Sequence, residues 1–172
     1  MNMHTPWGRS QTHKKIADGI YSHSTASHGG FELSTNRYLE FKKIFPDFKP
    51  YAGDYWFEED CDWAFVALAF PQFFSNQDIF NAIRMTNYKS SGLNCPESFW
   101  NTALGIECQS RSDAFKLSIA DKWEVGSMGC GHNIKGWAVI ISRNNERKTV
   151  NLKDYPAKQF YSDKELESLL IP

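Results

Sequence analysis

The chain has 172 residues, 19 Lys and Arg against 20 Asp and Glu, a formal net charge of -1, 41% hydrophobic and 15% aromatic residues. That length suits one domain with a sizeable core. The balanced charge excludes both the basic excess of a general nucleic-acid binder and the acidic excess of a DNA mimic.

No apolar run is long enough to span a membrane: the longest, Trp63 to Phe70, is cut by Pro71, whereas a span needs about 18 residues. Met1 to Ser10 carries no apolar core of a secretory signal. Cys61, Cys95, Cys108 and Cys130 show no zinc-knuckle spacing. Reduced thiols and a cytoplasmic location are therefore expected.

The polar residues 1–12 are expected to be loosely ordered, apart from Trp7. Asp18-Gly19 signals a turn. Ile20 to Thr25 and Phe31 to Leu33 read as strands, with His23 alternating outward on the first. Ser27-His28-Gly29-Gly30 forms the tight connection between them, the glycines supplying positive φ, so His28 sits in or beside a hairpin turn. Ser34 suits the N-cap of a helix to about Phe45. Pro46 and Pro50 bracket a loop, and Tyr55-Trp56-Phe57 is an aromatic knot.

A central buried helix is expected from Glu58 to Phe70, with Glu58, Glu59 and Asp60 in its first turn, where carboxylates complement the helix dipole. Ser75 caps a helix from Asn76 to about Met85. Pro96 starts one over Glu97–Leu104, and Ser112 caps one from Asp113 to about Lys122. Trp123–Val125, Gly136–Ile141 and Lys148–Leu152 read as strands, the last two joined by a hairpin turn over Arg143–Glu146. Gly129-Cys130-Gly131-His132 is a glycine-rich link, and a short helix over Asp163–Leu170 closes the chain. The expected fold is α+β, a single domain. Its mainly antiparallel sheet would come from the N- and C-terminal strands and pack on the central helix.

Thr5-Pro6-Trp7-Gly8, Ala26-Ser27-His28-Gly29-Gly30-Phe31-Glu32-Leu33 and Glu58-Glu59-Asp60-Cys61-Asp62-Trp63-Ala64 together resemble an uncharacterised domain family of phages, plasmids and bacterial mobile elements. The resemblance implies a setting: a small accessory protein acting on host machinery, counter-defence included. It implies no reaction.

The residues themselves leave three readings open. Cys61 with His28 as base is a thiol hydrolase pair, with Glu59 and Asp60 as further catalytic candidates. Against it, the carboxylates around Cys61 disfavour a thiolate. His28 with Glu58 and Asp62, four apart on one helix face, would hold a divalent metal. Alternatively, His28 pins its hairpin to the start of the central helix as a structural network. No organic cofactor is expected, and a divalent metal only in the second reading. The first expectation for function is binding of a host macromolecule, most simply a protein. A hydrolase centred on His28 is the alternative. The oligomeric state is left open.

Overall fold

The computed structural model describes residues 3–87, 94–129 and 136–171, without the side chains of 127–129. The chain is α+β and divides into two compact units, Met1–Phe115 and Lys116–Pro172.

The first unit opens with a small ladder, β1 (His4–Thr5) on β2 (Gly8–Arg9). β3 (Thr12–Ala17) turns at Asp18-Gly19 into β4 (Ile20–Ser24), which returns as β5 (Gly29–Leu33). Ser34 then caps α1 (Thr35–Ile44), its side chain accepting from the Arg37 N–H, which satisfies one of the helix's unpaired donors. After the proline-bracketed loop, β6 (Trp56–Glu58) pairs antiparallel with β5. The sheet order is β3-β4-β5-β6.

α2 (Trp63–Ala69) follows, with every residue from Ala64 to Ala69 buried. It is the expected central helix, but it does not begin at Glu58. Glu58 lies opposite Gly30 in the β5–β6 ladder, and that pairing holds its backbone extended. Residues 59–62 form the turn between strand and helix. Glu58, Glu59 and Asp60 are therefore not a helical first turn, and the helical i, i+4 relation between Glu58 and Asp62 does not exist.

α3 (Asn76–Thr86) begins with a full capping box, Ser75 and Asp78 each bonding the other's backbone N–H. α4 (Glu97–Trp100) stops short of the expected Leu104, because Thr102 starts a new helix. Its hydroxyl donates to the Phe99 carbonyl and accepts from the Gly105 N–H. α5 (Ala103–Ser118) then runs straight through Ser112, which is buried mid-helix instead of capping. The core of this unit is aromatic. Phe41 meets Phe57 edge-on at 4.8 Å, and Phe45 meets Phe65 at 5.2 Å. These four rings are at most 1% exposed, each contributing about 1.5–3 kcal/mol through burial.

The second unit is a meander. β7 (Trp123–Gly129), β8 (Trp137–Arg143) and β9 (Glu146–Leu152) pair in sequence, and β10 (Phe160–Tyr161) adds to the free edge of β7, giving the order β10-β7-β8-β9. Arg143 faces Glu146 across the expected two-residue turn, with Asn144 at φ 53°. α6 (Asp163–Leu169) closes the chain behind a Ser162–Glu165 capping box. The expected link residues Cys130, Gly131 and His132 lie outside the described residues.

The N- and C-terminal strands do not share one sheet: each unit has its own. The β3–β4, β4–β5 and β8–β9 pairings run through short turns, which cost least loop-closure entropy, whereas β5–β6 and β7–β10 close longer stretches of chain. No helix among the described residues is long and apolar enough to cross a membrane.

Candidate functional site

The β4–β5 loop, Thr25 to His28, is folded by a single hydroxyl. Thr25 Oγ1 donates to the His28 carbonyl at 2.8 Å and accepts from the His28 N–H at 3.1 Å, while the Thr25 N–H donates to the same carbonyl at 2.7 Å. This places His28 at the loop's end with its side chain about half exposed (49%).

The two glycines that follow are there for close approach. Neither has positive φ, contrary to the sequence-based expectation. A Cβ on Gly29 would lie 2.3 Å from Glu59 Oε2 and 2.7 Å from the His23 carbonyl. One on Gly30 would lie 2.3 Å from both the Phe57 carbonyl and the Trp7 ring. Contacts that short are forbidden, so the sheet forms here only with glycine.

That close approach builds the site. Gly30 opposite Glu58, together with the Glu59 N–H donating to the Gly29 carbonyl at 3.1 Å, draws the acidic segment against the His28 hairpin. His28 Nδ1 lies 3.7 Å from Glu58 Oε1, beyond hydrogen-bond length. Ligand atoms of His28, Glu58 and Asp60 lie within 4.8 Å of one another. Glu58 is largely covered (16% exposed), while Asp60 is exposed.

Cys61 faces the acids. Its thiol donates to Glu58 Oε2 at 3.1 Å and to Asp62 Oδ1 at 3.5 Å. Burial and then the Glu58 hydrogen bond, with the nearby Asp62 charge, push it up to about 12, so the thiolate is scarce at neutral pH. Asp62 is buried and accepts the Tyr51 N–H at 2.7 Å. Burial raises its carboxyl above the usual range.

Of the residues singled out from the sequence, the structure brings His28, Glu58 and Asp60 together and sets the Glu59 carboxylate beside Gly29. Cys61 is a hydrogen-bond donor to the cluster. Asp62 is spoken for by Tyr51, so Asp60 takes the place expected of Asp62. The contact between hairpin and acidic segment is open to solvent instead of being a closed polar core.

One constellation escaped sequence reasoning. His23 is buried, not outward-facing. Its Nε2 lies 3.0 Å from Glu32 Oε2 and its Nδ1 3.3 Å from Ser10 Oγ. The rings of His13 and Trp56 pack against it at 4.8 and 5.4 Å. Alternation puts His23 on the face opposite Ile20, but that face is not bare, because Ser10, Glu32 and the His13 and Trp56 rings close around the imidazole. The available signal was His13, which pairs with His23 across β3–β4 once residues 12–17 are read as a strand. Beside this relay, Trp7, Arg9, Ser10, Thr25 and Ser27 line a shallow surface depression.

The family model for "Domain of unknown function (DUF7007)" matches residues 1–118. No curated protein matches, and no solved structure matches.

Proposed function

The chain belongs to the DUF7007 family of unknown function, and from that premise we propose that it is a small accessory protein of a phage or mobile element that works by binding a host protein, in a host-takeover or counter-defence role. The observation that carries the binding reading is a predominantly apolar groove of about 640 Å³ in the first unit. Ile44, Phe48, Phe99 and Leu104 contribute apolar walls, and the exposed Lys43 and Lys49 line it together with Asp47. A concave apolar surface with a few charged groups at its edge is what a partner's side chains need in order to be desolvated and oriented. The two lysines against one aspartate favour an apolar partner segment flanked by carboxylates.

The thiol-hydrolase alternative loses its nucleophile, since a Cys61 thiol held near 12 by burial and carboxylates is protonated at neutral pH.

A photoreactive residue placed at Lys43 or Lys49 tests the reading. In host cells it should crosslink one protein, and Ile44→Arg should abolish that product. The same residue at exposed Lys14, outside the groove, should give none. Equal crosslinking from Lys14, or no product from either groove position, overturns the groove as the binding surface.

A further inference from the structure

We propose that His28, Glu58 and Asp60 form a divalent-cation site for a first-row ion of the Mn²⁺ or Zn²⁺ kind. This goes beyond the binding reading and does not depend on it.

The separation of the donor atoms is the first argument. His28 Nδ1 and Glu58 Oε1 stand 3.7 Å apart, too far for the hydrogen bond that an unoccupied His–Glu pair would make. Two donors each about 2.0–2.1 Å from one ion stand about 3–4 Å apart. The pair is therefore already at bridging separation. The third donor, on the exposed Asp60, completes the set within 4.8 Å.

Charge is the second argument. Among the described residues, no Lys or Arg lies within ion-pair distance of Glu58, Glu59 or Asp60, and the basic side chain nearest Glu58 is the His28 ring. The Glu58 and Asp60 carboxylates, brought together beside His28 and not neutralised by a Lys or Arg, repel one another, and a cation relieves that repulsion. Orientation is the third. The Cys61 thiol donates to Glu58 Oε2, leaving Oε1 to face His28, as groups behind a metal ligand do when they fix its aim.

One imidazole nitrogen with two carboxylate oxygens suits Mn²⁺ or Zn²⁺. Mg²⁺ fits less well, since it takes oxygen ligands in near-ideal octahedral geometry and keeps several waters. Three protein ligands on an open surface leave positions for water or for an anionic group of a partner.

Titration calorimetry of the full chain with Mn²⁺ and with Zn²⁺ tests the site. At least one of the ions should bind with one equivalent, and His28→Ala and Asp60→Asn should each weaken it at least tenfold. Both side chains are surface groups, so melting of the metal-free variants should match the parent, which separates lost binding from lost folding. Mn²⁺ should also broaden the His28 ring resonances more than those of His13. Failure of both ions to bind at millimolar concentration overturns the proposal. So does binding that survives both substitutions, which would belong to another histidine.

Discussion

The two units use polar side chains for opposite ends. In the second, Trp123 is 1% exposed, yet its indole N–H donates to Asp163 Oδ1 at 2.7 Å, and Arg143 bonds Asp163 Oδ2 at 2.7 Å while stacking 4.3 Å from the Trp123 ring. Lys148 sits 4.0 Å from the same ring. Around Trp123, Asp163, Arg143 and Lys148 each have an opposite charge or a ring, and the arrangement fastens α6 to the meander. In the first unit the His28 hairpin gathers carboxylates without a Lys or Arg to neutralise them, beside a thiol and at the surface. Balanced polar groups read as stapling. Unbalanced ones, held in place by a glycine-dependent strand pairing, cost stability and read as a site. The family match to residues 1–118 falls on the unbalanced unit.

The comparison can be broken first at the cores. Phe57→Ala and Trp123→Ala each empty a fully buried site and should cost about 3–5 kcal/mol in urea denaturation. Hydrogen exchange should show the greatest loss of amide protection within the sheet of the altered unit. Protection lost equally in both sheets would mean that one cooperative core, not two, is at stake.

The buried relay gives the next effect. Glu32→Ala leaves the His23 ring without its partner at Nε2 and should cost about 1–3 kcal/mol, whereas Glu32→Gln, which keeps an acceptor, should cost less. Equal costs would show that packing on Glu32, and not its acceptor, matters.

Cys61 sharpens the chemical side. With its thiol up near 12, alkylation by iodoacetamide in the folded protein should be slow at pH 7 and climb about tenfold per pH unit through pH 10 without a plateau. Glu58→Gln, by removing a negative neighbour, should accelerate it at a given pH. A plateau near pH 8 would restore a nucleophilic Cys61.

The smallest effect is expected at Asp163. Its hydrogen bonds to Arg143 and then Trp123 hold the carboxyl below its ordinary value. A depressed carboxyl contributes stability that is present above its unfolded pKa and is lost as pH falls through the lower folded one. Asp163→Asn should thus lower the melting temperature slightly at pH 7, and by less as the pH falls through the range of the depressed carboxyl. A shift of the same size at every pH would make the contact steric instead of ionic.

Much of the fold was legible because its signals are local. Ser34 and Ser75 cap helices where expected, the Asn144-Asn145 turn closes its hairpin, and the apolar run after Asp62 becomes the buried helix. The start of that helix was not legible. Glu58 to Asp60 satisfy the rule for a helical first turn, yet the β5–β6 ladder claims Glu58 for a strand, since a tertiary pairing overrides a weak local preference. His23 was misplaced for a similar reason: alternation tells two faces apart and does not say which of them is covered.

The amino-acid sequence by itself determined the α+β class through periodicity and caps, and it raised the expectation that the His28 hairpin docks on the acidic segment. Only the tertiary structure decided what each does. It gave the glycines their reason in close approach, exchanged Asp62 for Asp60 beside His28, turned Cys61 into a proton donor, and separated one expected sheet into two. Those outcomes depend on distances between residues about thirty apart in the chain, and strand register, not composition, sets such distances.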